Sequence, residues 1–310
     1  MSERATLFVA LTVALASTPL HASESAPVVV VTDAEGRAVV TAALVSDDTV
    51  VAREAPLRVA VRLDVAEGWH VYWQNPGDTG VATRVDLSST HAALDPVAYP
   101  APARFVDGKE QDGLVSFGHT GRVFFIARGT VLSLDDASGA GPHAVDVSAR
   151  LSLLACHDVC IPGKATLSLS LPLARGTGGL DVRARGTAPR ATDSRRDVAL
   201  GVVLDDAEKK IPRPLATGRA RATWSGERVM VAIPSTARAP FFVPSVESDA
   251  IRAEPVARGA KTAKDTLSLV LVDPARKPAR LTGVVFLDDG AYTVDVPIDE
   301  APRQGVASKP

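Results

Sequence analysis

Strict alternation of apolar and polar side chains constrains this chain more than any other feature. Leu57, Val59, Val61, Leu63 and Val65 are separated by Arg58, Ala60, Arg62 and Asp64, the period of a strand with one buried face and one wet face. The pattern returns in Val145, Val147, Ala149, Leu151 and Leu153 against Asp146, Ser148, Arg150 and Ser152, and again in Leu167, Leu169 and Leu171 around Ser168 and Ser170. A helix would scatter such side chains around its axis instead of gathering them on one side. Half-solvated strands of this kind belong to antiparallel sheets.

Further strands are expected at Val123 to Val131, Ala220 to Trp224, Arg228 to Ile233, Leu267 to Val272, Leu281 to Phe286 and Tyr292 to Val296, with Gly, Pro, Asn and Asp between them. Short strands punctuated by turn residues predict an all-β protein of sandwich type. The character changes from Ala174 to Arg196, where Gly176, Gly178, Gly179 and many arginines read as a linker. Domains are therefore expected at 26–173 and 213–300, joined by a linker at 174–212 and followed by a tail at 301–310. Within the linker a short helix is expected from an Asp193 cap through Ala199, Leu200, Val203 and Leu204 to about Lys210, where Pro212 and Pro214 stop it.

The first 22 residues have a different purpose. Arg4, the apolar run Ala5 to Ala16, and the exit Ser17, Thr18, Pro19 to Ala22 have the build of a secretory signal peptide. That run is too short to span a bilayer, and no later stretch reaches the roughly 20 apolar residues that spanning needs. An exported chain beginning near Ser23 is expected, without a lipid anchor, because no cysteine follows the cleavage point. A formal charge of −2 with interspersed signs gives no basic face for nucleic acid.

Only two cysteines occur, Cys156 and Cys160, and export places them where disulfides persist. Were the strand simply to continue, their Cα atoms would stand roughly 13 Å apart, beyond the roughly 7 Å that a bridge tolerates. The chain must therefore turn; the alternation loses phase at Leu154, His157-Asp158 makes a reasonable turn pair, and Pro162 restarts an extended run. A structural bridge is the ordinary use of such a pair, but loop entropy gives a five-residue ring only about 2 kcal/mol, against about 4.7 for a 100-residue ring. A tight ring is a poor staple and a good two-electron switch, because the second thiol is at hand to resolve a mixed disulfide. His157 would favour the reactive thiolate. Cys156, beside it at the opening of the turn, is the expected first attacker.

A second stretch, Gly68-Trp69-His70-Val71-Tyr72-Trp73-Gln74-Asn75-Pro76-Gly77-Asp78-Thr79-Gly80, holds two of the three tryptophans. It reads either as core aromatics at a strand end or as an aromatic wall shielding sulfur. Phe105, Phe117 and His119 follow, with Asp107, Lys109, Glu110, Gln111 and Asp112 forming a polar loop that is either solvated or a lid. Cys156, His157 and Cys160, joined by His70 and His119, have the soft donors that suit copper(I) or zinc. Without CxxC, HxxxH or a second cysteine pair, no metal site and no cofactor is expected.

Taken together, Gly68 to Asp78, Tyr99-Pro100-Ala101-Pro102-Ala103-Arg104-Phe105, Ser116-Phe117-Gly118-His119-Thr120-Gly121 and Cys156-His157-Asp158-Val159-Cys160-Ile161-Pro162 resemble the N-terminal periplasmic region of the DsbD/ScsB-type thiol:disulfide interchange proteins. The likeness covers roughly residues 30 to 172, and the second half resembles the extra β-rich module of the ScsB-like members more weakly. It implies two immunoglobulin-like antiparallel β-sandwich domains with a short helical linker, and makes Cys156 and Cys160 the redox pair. It places His70 and Tyr72 beside them, with Phe117, His119, His157 and Pro162 as further surroundings and a lid between Arg104 and His119. The cysteines are closer together than in the best-known DsbD pattern.

The resemblance further implies a periplasmic thiol:disulfide interchange oxidoreductase, relaying electrons from a membrane reductase to thioredoxin-fold partners. The chain to Pro310 contains neither the membrane domain nor the thioredoxin domain of that family, so a separately encoded membrane reductase is expected. The rival expectations are a non-catalytic binding or chaperone-like module with a structural disulfide, and, behind it, a copper or zinc carrier.

Overall fold

The computed structural model describes residues 23–107, 114–133, 142–174, 195–233, 241–253, 266–271 and 273–300. The signal peptide expected at 1–22, the polar loop from 108 to 113, most of the linker and the tail lie outside them. The described chain is almost entirely β, with one α-helix.

The first half contains β1 (Val28–Thr32), β2 (Ala38–Ser46), β3 (Asp48–Val50), β4 (Pro56–Val65), β5 (His70–Gly77), β6 (Arg84–Ser89), β7 (Ala92–Leu94), β8 (Ala103–Asp107), β9 (Leu114–His119), β10 (Arg122–Val131), β11 (Ala144–Cys156) and β12 (Cys160–Pro172). Five strands form one sheet in the order β1-β2-β4-β10-β7. The facing sheet runs β12-β11-β5-β9-β8, with β6 also paired to β11. All of these pairings are antiparallel. Between the sheets, Leu57, Val59, Val61 and Leu63 meet Val145, Val147, Ala149, Leu151 and Leu153 in one buried cluster. The two apolar stripes seen in the sequence thus become one sandwich core.

On β4 the outer face is drier than its alternation implies: Arg58 and Ala60 are buried as well. The cause is the helix α1 (Val198–Glu208), which lies over that face and brings Leu204 and Ala207 against Ala43, Val45, Ala60, Phe124 and Ile126. Its N-cap is Asp197, whose carboxylate accepts from Leu200 N, so the helix starts four residues after the Asp193 cap expected from sequence. Arg58 crosses the interface. Its guanidinium donates to Asp47 at 2.7 Å and to Asp205 on α1 at 2.6 Å. Desolvation lowers its basicity, but the bonds to Asp47 and Asp205 outweigh that effect and hold it above the ordinary arginine range. Ahead of the helix, the short strand β13 (Arg195–Arg196) pairs with β3.

The second half contains β14 (Arg213–Pro214), β15 (Arg221–Ser225), β16 (Arg228–Ala232), β17 (Phe241–Pro244), β18 (Ile251–Ala253), β19 (Thr266–Leu271), β20 (Arg280–Leu287) and β21 (Gly290–Asp299). Their order is β17-β20-β21-β15-β16-β19-β18, with β14 beside β21. Here the expectation of antiparallel pairing needs a correction. β21 is parallel to both β14 and β15, because the chain enters through β14 and β15 alongside the strand that ends it. Trp224, Val231, Phe242, Ile251, Leu269, Leu281 and Val285 form the core of this half.

The halves meet on β5 and β9. Trp73 and Phe117 pack with Val243 and Val284 in a separate buried cluster. Beside it, buried Asn75 donates from Nδ2 to the carbonyl of Pro244 at 2.8 Å.

Candidate functional site: a disulfide in a hairpin end

β11 and β12 form the longest ladder among the described residues, with thirteen residues on each side. It closes through His157, Asp158 and Val159, where His157 N donates to Val159 O at 3.1 Å. The alternation therefore continues past Leu154 to Cys156, and the turn is tighter than its loss of phase implies. Cys156 and Cys160 are cross-strand partners with Cα atoms 4.1 Å apart, and they are disulfide-bonded. A hairpin end makes the pairing local, since no distant segment must be brought in to form it.

The two sulfurs have different surroundings. Cys156 is 2% exposed, whereas Cys160 is exposed at the tip beside Val159, itself 60% exposed. Tyr72, 3% exposed, donates its hydroxyl to Sγ of Cys156 at 3.2 Å. His70 is the ladder partner of Cys156 across β5 and β11. Its ring meets Tyr72 edge-on at 5.1 Å and stacks on Phe105 of β8 at 4.7 Å. Phe105, His70 and Tyr72 thus form a continuous aromatic wall along the buried sulfur.

Turn chemistry supports the wall. Gly80, at φ +94°, leaves no room for a Cβ against the Tyr72 ring, and Gly68, at φ +81°, lies against the imidazole of His157. Both positions combine a left-handed backbone with a close approach, which only glycine accommodates without strain. His157 also meets Trp69 at 5.8 Å and bonds Asp158 through Nδ1 at 2.9 Å.

A buried sulfur with a hydroxyl donor, bonded to an accessible sulfur, is suited to thiol–disulfide exchange. Attack needs access to one sulfur, and the other must leave as a stabilised thiolate. Residues 41–172 match the model of the thiol:disulfide interchange protein DsbD, N-terminal. The likeness to the DsbD N-terminal family is over this segment. The disulfide-bonded Cys156–Cys160 pair lies within the matched segment.

Over a longer span, the chain is similar to the N-terminal periplasmic domain of ScsB from Proteus mirabilis, with a TM-score of 0.56 and 15% identity, covering 89% of this chain and 100% of that one. That likeness is one of fold, and it extends beyond the DsbD segment into the second half. The periplasmic chaperone SfaE aligns over 83% of this chain and 100% of its own at 10% identity, with a TM-score of 0.18. Among curated proteins none matches.

Within the DsbD segment, the residues expected around the pair divide by sheet face. Cys156 pairs with His70, while Ala155 pairs with Val71, Val71 with His119, and Tyr72 with Gly118. Paired residues share a face, so His70 and Tyr72 lie with the sulfur, and His119 and Phe117 project to the opposite side. His119 packs edge-on against Phe125 at 5.8 Å. Its Nε2 meets no hydrogen-bond partner among the described residues, and burial pushes its pKa down to about 4. Phe117 goes to the interface with the second half. Pro162 is on β12 opposite Leu154, two residues beyond Cys160. Phe105, at the start of the stretch where a lid is expected, joins the wall by stacking on His70. Among the described residues, no three His, Cys, Asp or Glu side chains converge as a metal site.

Proposed function

We propose that this protein is a periplasmic thiol–disulfide exchange protein that carries electrons through Cys156 and Cys160, from a separately encoded membrane reductase to thioredoxin-fold partners. The observation that carries this reading is the inequality of the two sulfurs: Cys160 is exposed, and Cys156 is buried under the Tyr72 hydroxyl.

On this reading the exposed Cys160 attacks first, in place of the Cys156 expected from the sequence. In the reduced protein the Cys160 thiolate attacks one sulfur of the partner's disulfide. A mixed disulfide forms, and the partner's other sulfur departs as a thiolate and takes up a proton. Cys156, deprotonated and held beside Tyr72, then attacks Sγ of Cys160. The mixed bond breaks, the partner leaves as a dithiol, and Cys156–Cys160 is restored as a disulfide. Two electrons have passed to the partner, and the membrane reductase returns two by the reverse exchange. None of the steps calls for a metal or an organic cofactor, because sulfur supplies both nucleophile and leaving group.

Single-cysteine trapping tests the assignment. With oxidised thioredoxin as the probe, Cys156→Ser is expected to accumulate a mixed disulfide through Cys160, while Cys160→Ser accumulates little. Equal trapping by both variants would remove the assignment of Cys160, and trapping by neither would remove the exchange function.

A further inference from the structure

The wall that shelters Cys156 is one side of a two-sided structure, and the second half of the chain is packed against its other side. On β8 and β9, Arg104 pairs with Phe117, and Phe105 pairs with Ser116. Neighbouring residues on a strand project to opposite faces. Phe105 therefore lies on the redox side, stacked on His70, while Arg104 projects away from it. There the Arg104 guanidinium lies over the ring of Phe241 at 5.9 Å, and Phe117 meets the same ring at 6.1 Å. Phe241 is backed in turn by Phe286 at 5.8 Å. On β5 the arrangement repeats: Tyr72 touches sulfur, Trp73 next to it is buried with Val243 and Val284, and Asn75 bonds the Pro244 carbonyl. Both strands that carry the wall are thus fastened from behind by one short strand, β17.

We propose that the second domain is a positioning element for the redox pair: β17, through Phe241 and Pro244, holds the Phe105–His70–Tyr72 wall against Cys156. This deepens the exchange reading and rests on it, because a sheltered Cys156 matters only if that thiol works. β8 depends on this bracing. Among the described residues it pairs only with β9, so an edge strand held on one side takes its position from what packs on its face. Phe241 is the aromatic that contacts both strands of that β8–β9 pair, through Arg104 and Phe117. The contacts of β17 are with the strands that carry the wall, so its effect passes through the wall.

Timed alkylation of the fully reduced chain with iodoacetamide, read at each cysteine by mass spectrometry, tests this. Phe241→Ala is expected to speed modification of Cys156 by about two- to tenfold, the equivalent of one aromatic pair. Cys160, already exposed, keeps its rate, and Phe241→Tyr restores the original Cys156 rate. Asn75→Asp is the second variant. It retains the oxygen that accepts from Gly77 N, loses the donor to Pro244, and leaves the second-domain core intact, so it moves Cys156 in the same direction. An unchanged Cys156 rate in both variants would overturn the proposal. A chain that fails to trap thioredoxin, yet uncovers Cys156 in these variants, would refute the exchange reading and leave the bracing in place.

Discussion

Tyr72 Oη and Cys156 Sγ are 3.2 Å apart, on strands separated by more than eighty residues of chain, and both side chains are buried. A thiolate accepts such a bond more strongly than a disulfide sulfur does, because the acceptor then carries full charge. The contact therefore favours the reduced pair over the oxidised one. Tyr72→Phe keeps the ring in the wall and removes only the donor. The loss of about 1 kcal/mol of hydrogen bonding translates to a reduction potential about 20 mV more negative. Equilibration in graded glutathione buffers measures the shift, with an unchanged circular dichroism spectrum as the control.

The disulfide itself contributes little to stability. Its ring encloses five residues, and the thirteen-residue ladder of β11 and β12 holds the same ends together without it. Reduction, or the double substitution of both cysteines by serine, is expected to cost about 2 kcal/mol or less. Urea unfolding with and without reductant checks this. A loss above about 4 kcal/mol would class the bond as a staple.

His119 makes the fold sensitive to mild acid. Its pKa is about 4 in the folded chain, against about 6.5 when unfolded. At pH 7 and above both states are neutral there, and the folded protein has its full stability. As pH falls through 6.5 the unfolded chain takes up a proton that the folded chain refuses, so stability drops by about 2 kcal/mol by pH 5. His119→Phe removes this dependence. The difference between the two urea midpoints, followed from pH 7.5 to pH 5, isolates the histidine from the carboxylates.

Arg58 fastens α1 to β4 by a buried charge. Its side chain is 8% exposed and that of Asp47 is 2% exposed, so removal of the arginine alone leaves the buried Asp47 carboxylate with only the more distant Arg196, at 3.9 Å, as a charge partner. Arg58→Met is expected to cost about 3–5 kcal/mol, whereas Arg58→Met with Asp47→Leu recovers most of it. Thermal unfolding of the single and double variants completes the cycle.

What the sequence makes legible follows from the range of each signal. Alternation is local, so β4, β10, β11, β12, β15, β16, β19, β20 and β21 stand out along the chain, whereas shorter strands such as β7, β8 and β17 carry too few residues to show a period. The requirement that Cys156 and Cys160 turn back on one another is also local, and it comes from reach alone. Face assignment is different. Phe117 and His119 lie close to Gly118 in sequence, but whether they face the sulfurs depends on Tyr72 pairing with Gly118, and a shift of one residue reverses the answer. The pairing of β5 with β9 is itself irregular between Tyr72 and Gly77, which no pattern in the residues announces. Phe105 belongs to the wall for the same reason, by register across β9. The dry outer face of β4 arises from Leu204 and Ala207, well over a hundred residues away. For the helix cap, Asp193 and Asp197 are equivalent in type, and the carboxylate that reaches Leu200 N decides between them.

The central claim, that Cys156 and Cys160 form a working exchange pair, is tested most directly by their reduction potential in the purified chain. A value between about −180 and −270 mV, the span from protein disulfide isomerase to thioredoxin, is the predicted result. A value below about −300 mV, where structural disulfides lie, would contradict the account.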